Sequence, residues 1–389
     1  MRIPVSVVKC NNYSEPNVSR ALSKCLKQIG GIERFVKSGD RVALKVNLLC
    51  AATPSRAVTT HPSVVTAVAK IVEGVGGEAT IVDSPGAVAR YTASNLRNLY
   101  QVTGMVEAAD KGGAKLNYDT SSVSVSIPNG KLVKRFDIIK PILEADVVIN
   151  LPKFKTHEFT YLTAGVKNLF GILPGKTKAG YHATLKNTKN FSEMLIDLFS
   201  YVNPCLTVVD AIVGMDGDGP TSGRPRDLGF VVASENALAV DVLLAEAVGV
   251  DPKSIPHIRA AVDRKLCCGD IEDFEIVGET LESIRILDFV MPKSMAQKGK
   301  SHVTDFLYGV ATFFVKDMFS VTPQVIPELC VGCGICKENC PEGAIRIVNE
   351  KARIKQRRCI RCYCCYELCP NKSVELKRNL LYALGRAIN

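Results

Sequence analysis

The chain has 389 residues, of which 47% are hydrophobic and 23% charged, no tryptophan, and a formal net charge of +10 at pH 7. These values are typical of a folded globular protein with a sizeable core and a smaller second unit. No run of eighteen apolar residues occurs, and strand-like sequence begins at the first residues. We therefore expect neither a membrane span nor a signal peptide, and the scattered cysteines outside the C-terminal region suit a reducing cytoplasm.

Up to about residue 290 the sequence alternates apolar strands with helices. Residues 41–46 (RVALKV) predict a strand, residues 62–75 a helix with proline in its first turn, and residues 79–82 a second strand, which together form a β-α-β unit. Further strands are predicted at 145–151, 206–213 and 228–233, and a helix at 236–248. Near-continuous Val, Ile and Leu strands predict an α/β fold with a mostly parallel sheet sandwiched by helices.

Polar residues follow several of these strands. Asn47 ends the first strand, His61 leads into the next helix, and Asp83 follows the second strand. Open α/β sheets bind ligands beyond the carboxyl ends of their strands. We therefore expect Asn47, His61 and Asp83 to line a small-molecule site.

The stretch from 151 to 181 is the richest in candidate site residues. Lys153 and Lys155 alternate about Phe154, so an extended chain would turn both ammonium groups to one side. The sequence predicts an anion site for phosphate or carboxylate, with Lys153, Lys155 and His157 as catalytic residues and Lys167 and Asn168 as binding residues. A basic surface loop with a structural His157 is the alternative, and His182 is a weaker candidate.

Asp216 and Asp218 lie in a glycine-rich segment, Gly-Met-Asp-Gly-Asp-Gly-Pro. The two carboxylates could bind a cation or sugar hydroxyls, whereas a tight turn is the alternative reading. The dinucleotide, Walker A and nucleophile-elbow motifs do not occur where they would be needed, so neither nicotinamide binding nor nucleotide hydrolysis by the usual routes is expected.

The sequence predicts four units: an α/β domain at 1–290, a linker at 291–323, a small α+β domain at 324–378 and a tail at 379–389. Within the linker, residues 305–318 predict an amphipathic helix, and the tail predicts a short one.

The small domain contains two copies of the spacing C-x2-C-x2-C-x3-C-P. This is the ligand pattern of a bacterial two-cluster ferredoxin, in which the fourth cysteine of each run binds the other cluster. We therefore predict two [4Fe–4S] clusters with these ligands: Cys330, Cys333, Cys336 and Cys369 for the first, and Cys359, Cys362, Cys365 and Cys340 for the second. A zinc ribbon does not need the third cysteine or the Cys-Pro, and a disulfide framework does not suit a chain without a secretory signal.

Seven basic residues lie near the cysteines: Arg346, Lys351, Arg353, Lys355, Arg357, Arg358 and Arg361. They predict a docking face for an acidic redox partner, and a solvated basic surface is the alternative. No recognised nucleic-acid-binding motif accompanies them, so we expect no nucleic-acid partner.

The strand-end segments form a recognisable series. It runs Lys45-Val46-Asn47, Thr59-Thr60-His61-Pro62, Val82-Asp83-Ser84-Pro85-Gly86, Asn150-Leu151-Pro152-Lys153, Lys155-Thr156-His157, Gly165-Val166-Lys167-Asn168 with Gly171, Asp210-Ala211-Ile212, and the turn from Gly214 to Pro220. Over residues 35–250 this resembles the family known as domain of unknown function 362, whose members often carry a C-terminal two-cluster ferredoxin. The resemblance implies a fold akin to the lactate-racemase-like nickel proteins, which use Lys and His in hydride chemistry.

The favoured function is an oxidoreductase component of anaerobic metabolism, which carries electrons through two clusters to or from a small anionic substrate or a partner at the α/β domain. One alternative is an electron-transfer or docking protein without its own catalysis. Another is a non-redox, racemase-like enzyme with structural clusters.

Overall fold

The computed structural model describes residues 2–86, 91–185, 187–296, 322–362 and 364–377. The helices predicted at 305–318 and in the tail lie outside these ranges. Across the described ranges, every helix is too short or too polar to cross a bilayer.

The secondary structure follows the alternating pattern of the sequence. The helices are α1 (Glu15–Lys27), α2 (Pro62–Gly74), α3 (Ala93–Val102), α4 (Met105–Gly112), α5 (Lys140–Leu143), α6 (Gly165–Asn168), α7 (Gly175–Thr184), α8 (Thr188–Val202), α9 (Ala237–Ala247), α10 (Pro256–Asp263), α11 (Lys293–Ala296), α12 (Ile335–Glu338) and α13 (Cys364–Glu367). The strands are β1 (Ile3–Lys9), β2 (Arg41–Lys45), β3 (Glu78–Val82), β4 (Lys115–Leu116), β5 (Ser122–Ser126), β6 (Arg135–Ile139), β7 (Val147–Asn150), β8 (Lys153–His157), β9 (Tyr161–Thr163), β10 (Leu206–Asp216), β11 (Arg224–Ser234), β12 (Phe274–Gly278), β13 (Thr322–Val325), β14 (Ile345–Val348), β15 (Lys351–Ile354) and β16 (Val374–Lys377).

A ten-stranded mixed sheet organises the large domain, in the order β12-β1-β11-β10-β7-β2-β3-β4, with β8 paired to β10 and β9 to β8. The strands β10, β7, β2, β3 and β4 run parallel. Lys45 is in register with both Val82 and Asn150, so three strands end at the same edge. The predicted α/β fold with a mostly parallel sheet is confirmed.

Helix α2 shows how the sequence builds this fold. Its buried residues include Val64, Val65, Val68 and Val72, whose spacing is that of one helix face. Proline opens the first turn, and Gly76 beyond the end has a φ of 82°, a conformation that favours glycine. The helix therefore covers the sheet and returns the chain to β3.

The sheet has a hydrophobic core on each face. Val231 and Val232, neighbours on β11, belong to different buried clusters, as expected for side chains that alternate across a strand. Both faces are covered here, which explains the unbroken apolar run from Phe230 to Ala233 in β11.

The C-terminal region forms two small antiparallel sheets, β13 with β16 and β14 with β15. The hairpin of β14 and β15 lies between the two cysteine runs, and β16 follows the second run. The predicted domain boundaries at 290 and 323 stay predictions, since the residues around the second boundary are largely outside the described ranges.

Candidate anion-binding site

A cavity of about 90 Å³ lies at the carboxyl ends of β2 and β3 and is also lined by β8, α6 and α7. Its size suits a ligand of a few non-hydrogen atoms. The polar and charged residues that line it are Asn47, Asp83, Ser84, Lys155, His157, Thr163, Lys167, Asn168, Lys178 and His182. Seven of these were site candidates from the sequence: Asn47, Asp83, Lys155, His157, Lys167 and Asn168, together with the weaker candidate His182.

Asp83 is the one carboxylate in this lining, and its oxygens are already engaged. They accept hydrogen bonds from the backbone N–H groups of Leu48 and Ser84, and Oδ1 lies 2.9 Å from Nζ of Lys45. Gly171 makes this arrangement possible, because a Cβ there would lie 2.3 Å from Oδ1 of Asp83. The carboxylate therefore neutralises Lys45 rather than the lysines inside the cavity.

Three further lysines reach the cavity without a carboxylate partner in its lining. Lys155 donates to the carbonyl oxygen of Val58 at 2.6 Å, and Lys178 donates to the carbonyl oxygen of Ser84 at 2.6 Å. Nζ of Lys167 lies 4.7 Å from the ring centroid of Phe170, and the residue is only 8% exposed. Three buried amines thus meet in a cavity whose lining holds a single carboxylate.

Burial lowers the pKa of all three lysines. The pKa falls to about 7 for Lys155, Lys167 and Lys178. Desolvation is the main cause in each case, since water no longer solvates the ammonium group, and neighbouring positive charges add to it: Lys167 acts on Lys155, and Lys45 acts on Lys167. The three amines can consequently gain or lose protons near neutral pH.

Two histidines complete the cavity wall. Nδ1 of His157 accepts hydrogen bonds from the N–H groups of Phe159 and Thr160, at 3.0 and 3.3 Å. Burial and the charge of Lys167 hold the pKa of His157 well below its usual value, so the neutral ring carries its proton on Nε2. His182 stacks on Phe191 at 4.7 Å, and burial lowers its pKa to about 3.

A carboxylate beneath the site positions α6, which carries Lys167 and Asn168. Asp241 of α9 accepts hydrogen bonds from the N–H groups of Gly165 and Val166 at 2.6 and 3.0 Å, and His257 lies 3.0 Å from the same carboxylate. Acceptors at the start of a helix satisfy its free N–H groups. Nothing in the sequence alone linked Asp241 to the site.

Lys153 and His61 lie outside the cavity lining. Lys153 forms a buried ion pair with Asp210 at 2.8 Å and donates to the hydroxyl of Tyr13 at 2.7 Å. The ring centroids of Tyr13 and His61 stack 3.5 Å apart, and the backbone N–H of His61 donates to the carboxylate of Asp210. Lys153 and Lys155 were expected to project to the same side of an extended strand. They lie in different surroundings, because the pairing of β8 with β10 is irregular between them.

Asp216 and Asp218 do not reach the cavity either. Arg224 binds both oxygens of Asp216, at 2.7 and 3.1 Å, and Asp218 forms an ion pair with Lys293. The structure gives the two carboxylates separate basic partners, which matches the turn interpretation better than a shared cation.

Lys178, Ser84 and Thr163 complete the site beyond the sequence candidates. Oγ1 of Thr163 is buried and has no hydrogen-bond partner within the described part of the chain. Lys178 and His182 lie four residues apart on α7, which places them on one helix face. That spacing was the available signal for Lys178.

The cysteines form two separate groups. One cavity is lined by Cys330, Cys333, Cys336 and Cys369, and another by Cys340, Cys359, Cys362 and Cys365. No three His, Cys, Asp or Glu side chains of the described ranges come close enough to hold a single ion. A cubane puts each cysteine on a different iron, so its ligands stand farther apart. The two groups fit the crossed ligand sets expected from the sequence.

Residues 42–246 match the family described as Domain of unknown function (DUF362). The chain belongs to this family. Residues 322–370 match a family described as 4Fe-4S dicluster domain, so the DUF362 protein is an iron–sulfur protein with a 4Fe–4S-binding domain. A relative from Synechocystis sp. (strain ATCC 27184 / PCC 6803 / Kazusa), the Thylakoid-associated protein sll1697, is 37% identical over 260 residues, which cover 66% of this chain and 78% of that protein.

Among solved structures, the lactate racemase apoprotein from Thermoanaerobacterium thermosaccharolyticum aligns with a TM-score of 0.38 and 13% sequence identity. The alignment covers 61% of this chain and 55% of that one, so the DUF362 protein spans about half the length of the racemase. We infer no activity from this similarity.

Proposed function

We propose that this protein is an oxidoreductase component that exchanges electrons with a small anionic substrate bound in the lysine-lined cavity. The observation that carries the proposal is the excess of positive charge in that cavity. The cavity contains three lysines, Lys155, Lys167 and Lys178, and a single carboxylate, that of Asp83. This carboxylate is already paired with Lys45. Burying unpaired ammonium groups is costly, and a ligand of opposite charge would offset that cost.

The cavity also offers groups that orient a ligand and move protons. His157 would donate Nε2–H to a substrate oxygen, and Thr163 would donate its unpartnered hydroxyl. Amines with a pKa near 7 can serve as general acid in one protonation state and as general base in the other. Such a site suits carboxylate or phosphate compounds that gain or lose protons as they gain or lose electrons.

We propose that the two cysteine groups hold two [4Fe–4S] clusters. Bound clusters would carry single electrons. The chain contributes backbone donors around the sulfurs: the N–H groups of Ala344 and Ser373 lie 3.2 and 3.3 Å from Sγ of Cys340 and Cys369. Hydrogen bonds of this kind tune a cluster's potential.

An acidic electron carrier is the proposed protein partner. Arg346 and Arg353 face each other across β14 and β15, and both are exposed, as are Arg357 and Arg358. Complementary charge mainly raises the rate of encounter. Arg361 does not belong to this face, because it is buried and bonds Gln356.

The proposed location is the cytoplasm. Buried thiols such as Cys10 and Cys25 remain unbridged, which suits a reducing compartment. The alternative is a thylakoid association, as in the name of the Synechocystis relative. Fractionation of cell extracts distinguishes the two locations.

The test uses protein purified anaerobically and reduced photochemically, without sulfur-containing reductants. A panel of small carboxylates and phosphate esters is added, and reoxidation is followed by the return of the cluster absorbance. We expect at least one compound to reoxidise the protein, and Lys155→Met to slow this reaction at least tenfold with unchanged iron. The exposed Lys24→Met variant serves as the control. Equal rates in Lys155→Met and wild type would remove the cavity from the reaction, and the electron-carrier alternative would then be preferred.

A further inference from the structure

The two cysteine groups differ in their relation to the large domain. Ile360 and Cys362, from the second run, belong to the same continuous hydrophobic core as Val133 and Phe136. The backbone N–H of Lys134 donates to the carbonyl oxygen of Cys362 at 3.0 Å. By contrast, Leu329 and Val331, on either side of Cys330 in the first run, are 50% and 65% exposed.

The segment that meets Cys362 is bound to a buried carboxylate. The N–H groups of Lys131, Leu132 and Val133 all donate to the buried carboxylate of Asp197 in α8, at 2.6 to 2.9 Å. Arg264 forms an ion pair with the same carboxylate at 2.7 Å. A displacement of α8 would therefore move this segment as well.

One connection runs from this segment to the cavity through α7. The hydroxyl of Tyr181 donates to the carbonyl oxygen of Arg135 at 3.4 Å, and its ring lies 5.8 Å from that of Phe136. Two other residues of α7 line the cavity: Lys178, one helical turn before Tyr181, and His182, the residue after it. One residue of α7 thus contacts β6 while its neighbours face the ligand site.

A second connection runs through α8. Phe191 stacks on His182 in the cavity wall, and the preceding residue, Asn190, donates to the carboxylate of Glu342 at 3.1 Å. Glu342 lines the same cavity as Cys340, Cys359, Cys362 and Cys365. Both connections therefore end at one cysteine group.

We infer that the cysteine group of Cys340, Cys359, Cys362 and Cys365 is the one coupled to the lysine-lined cavity, with Tyr181 and Asn190 as positioning residues between them. The inference rests on the proposed function, since it requires clusters in both groups and an anion in the cavity. An anion drawn to Lys178 shifts α7, and Tyr181 transmits the shift to the segment that bonds Cys362. The group of Cys330, Cys333, Cys336 and Cys369 is left toward solvent.

The test is a redox titration of the full chain with both clusters, followed by electron paramagnetic resonance with and without sulfate. Two variants assign the signals. Glu342→Gln perturbs the group of Cys362, because Glu342 lines the same cavity. Lys351→Gln perturbs the group of Cys330, because Nζ of Lys351 donates to the carbonyl oxygen of Cys330 at 2.6 Å. We expect sulfate to shift the signal sensitive to Glu342→Gln and to leave the other unchanged.

The positioning residues are tested with the double variant Tyr181→Phe, Asn190→Ala, which removes two hydrogen bonds and keeps the aromatic ring. We expect the sulfate-induced shift to fall at least threefold while the sulfate affinity stays within twofold of wild type. Tyr100→Phe is the control, since its hydroxyl bonds Asn117 on another side of the domain.

A sulfate response in the signal sensitive to Lys351→Gln, or a full response in the double variant, would overturn the inference alone. Calorimetry that detects no sulfate binding to wild type would instead overturn the proposed anion site, and the inference with it.

Discussion

Lys45 and Asp83 form a buried ion pair, with Nζ and Oδ1 2.9 Å apart. The pair joins the ends of two parallel strands, and it engages the one carboxylate of the cavity lining. Consequently, when Lys155, Lys167 and Lys178 are protonated, no carboxylate of the lining is free to balance their charge. The proposal that the cavity binds an anion rests on this asymmetry.

Replacing Lys167 by methionine should separate stability from function. Its ammonium group is buried against Phe170, and the thioether of methionine would pack there without a charge. We expect the free energy of unfolding at pH 7 to rise by roughly 1–3 kcal/mol. Sulfate affinity should fall at least tenfold. Chemical denaturation and calorimetry measure the two quantities, with Lys24→Met as the surface control; a less stable variant that binds sulfate normally would contradict the assignment.

The pH dependence of stability and binding should share one cause. The folded-state pKa of the three lysines is about 7, below the ordinary value of 10.5. Their destabilising contribution is therefore complete below pH 7 and disappears as the pH rises from 7 towards 10.5. The ligand-free protein should become more stable over that range, as far as these groups determine it.

Anion binding should show the opposite trend, because a bound anion favours the protonated amines. Sulfate keeps its charge between pH 6 and 9, so its affinity reports the protein alone. We expect the affinity to be constant below pH 7 and to fall up to about tenfold per pH unit above it for each proton taken up. Calorimetry in two buffers of different ionisation enthalpy counts the protons. A pH-independent affinity would mean that these lysines do not contact the anion.

Gly171→Ala should disrupt the buried ion pair. The new Cβ would lie 2.3 Å from Oδ1 of Asp83 and 2.6 Å from Nζ of Lys45. We expect a loss of about 3–5 kcal/mol in the free energy of unfolding, as for a broken buried pair. Gly74→Ala is the matched control, since nothing lies within 4 Å of its added Cβ. Similar stability of the two variants would show that the loop of Gly171 can move away freely.

Asp241→Asn should weaken anion binding by loosening α6, which carries Lys167 and Asn168. The change removes the negative charge that receives the N–H groups of Gly165 and Val166 at the start of α6. We expect a loss of about 1–3 kcal/mol in stability. Sulfate affinity should fall several-fold, because Lys167 and Asn168 lose their fixed position. The exposed Asp263→Asn is the comparison in the same unfolding and binding assays; unchanged binding in Asp241→Asn would limit Asp241 to a structural role.

The sequence predicted the sheet and much of the cavity because both depend on local pattern. Apolar runs of strand length located β2, β3 and β7, and the polar residues after them, Asn47 and Asp83, meet where the parallel strands end. Pairing partners distant in the chain were not predictable. Lys153 meets Asp210, 57 residues away, and Lys178 meets Ser84, 94 residues away. Those contacts decide which lysine is neutralised and which faces the ligand.

The most direct test of the anion site is to release and identify metals and small molecules from protein purified anaerobically, for wild type and Lys167→Met in parallel. Two cubanes give about eight irons per chain. We expect that number in both proteins, together with a small anion near one per chain in wild type that is lost in Lys167→Met. Eight irons with no anion in wild type, or an anion retained in full by Lys167→Met, would contradict the proposed site.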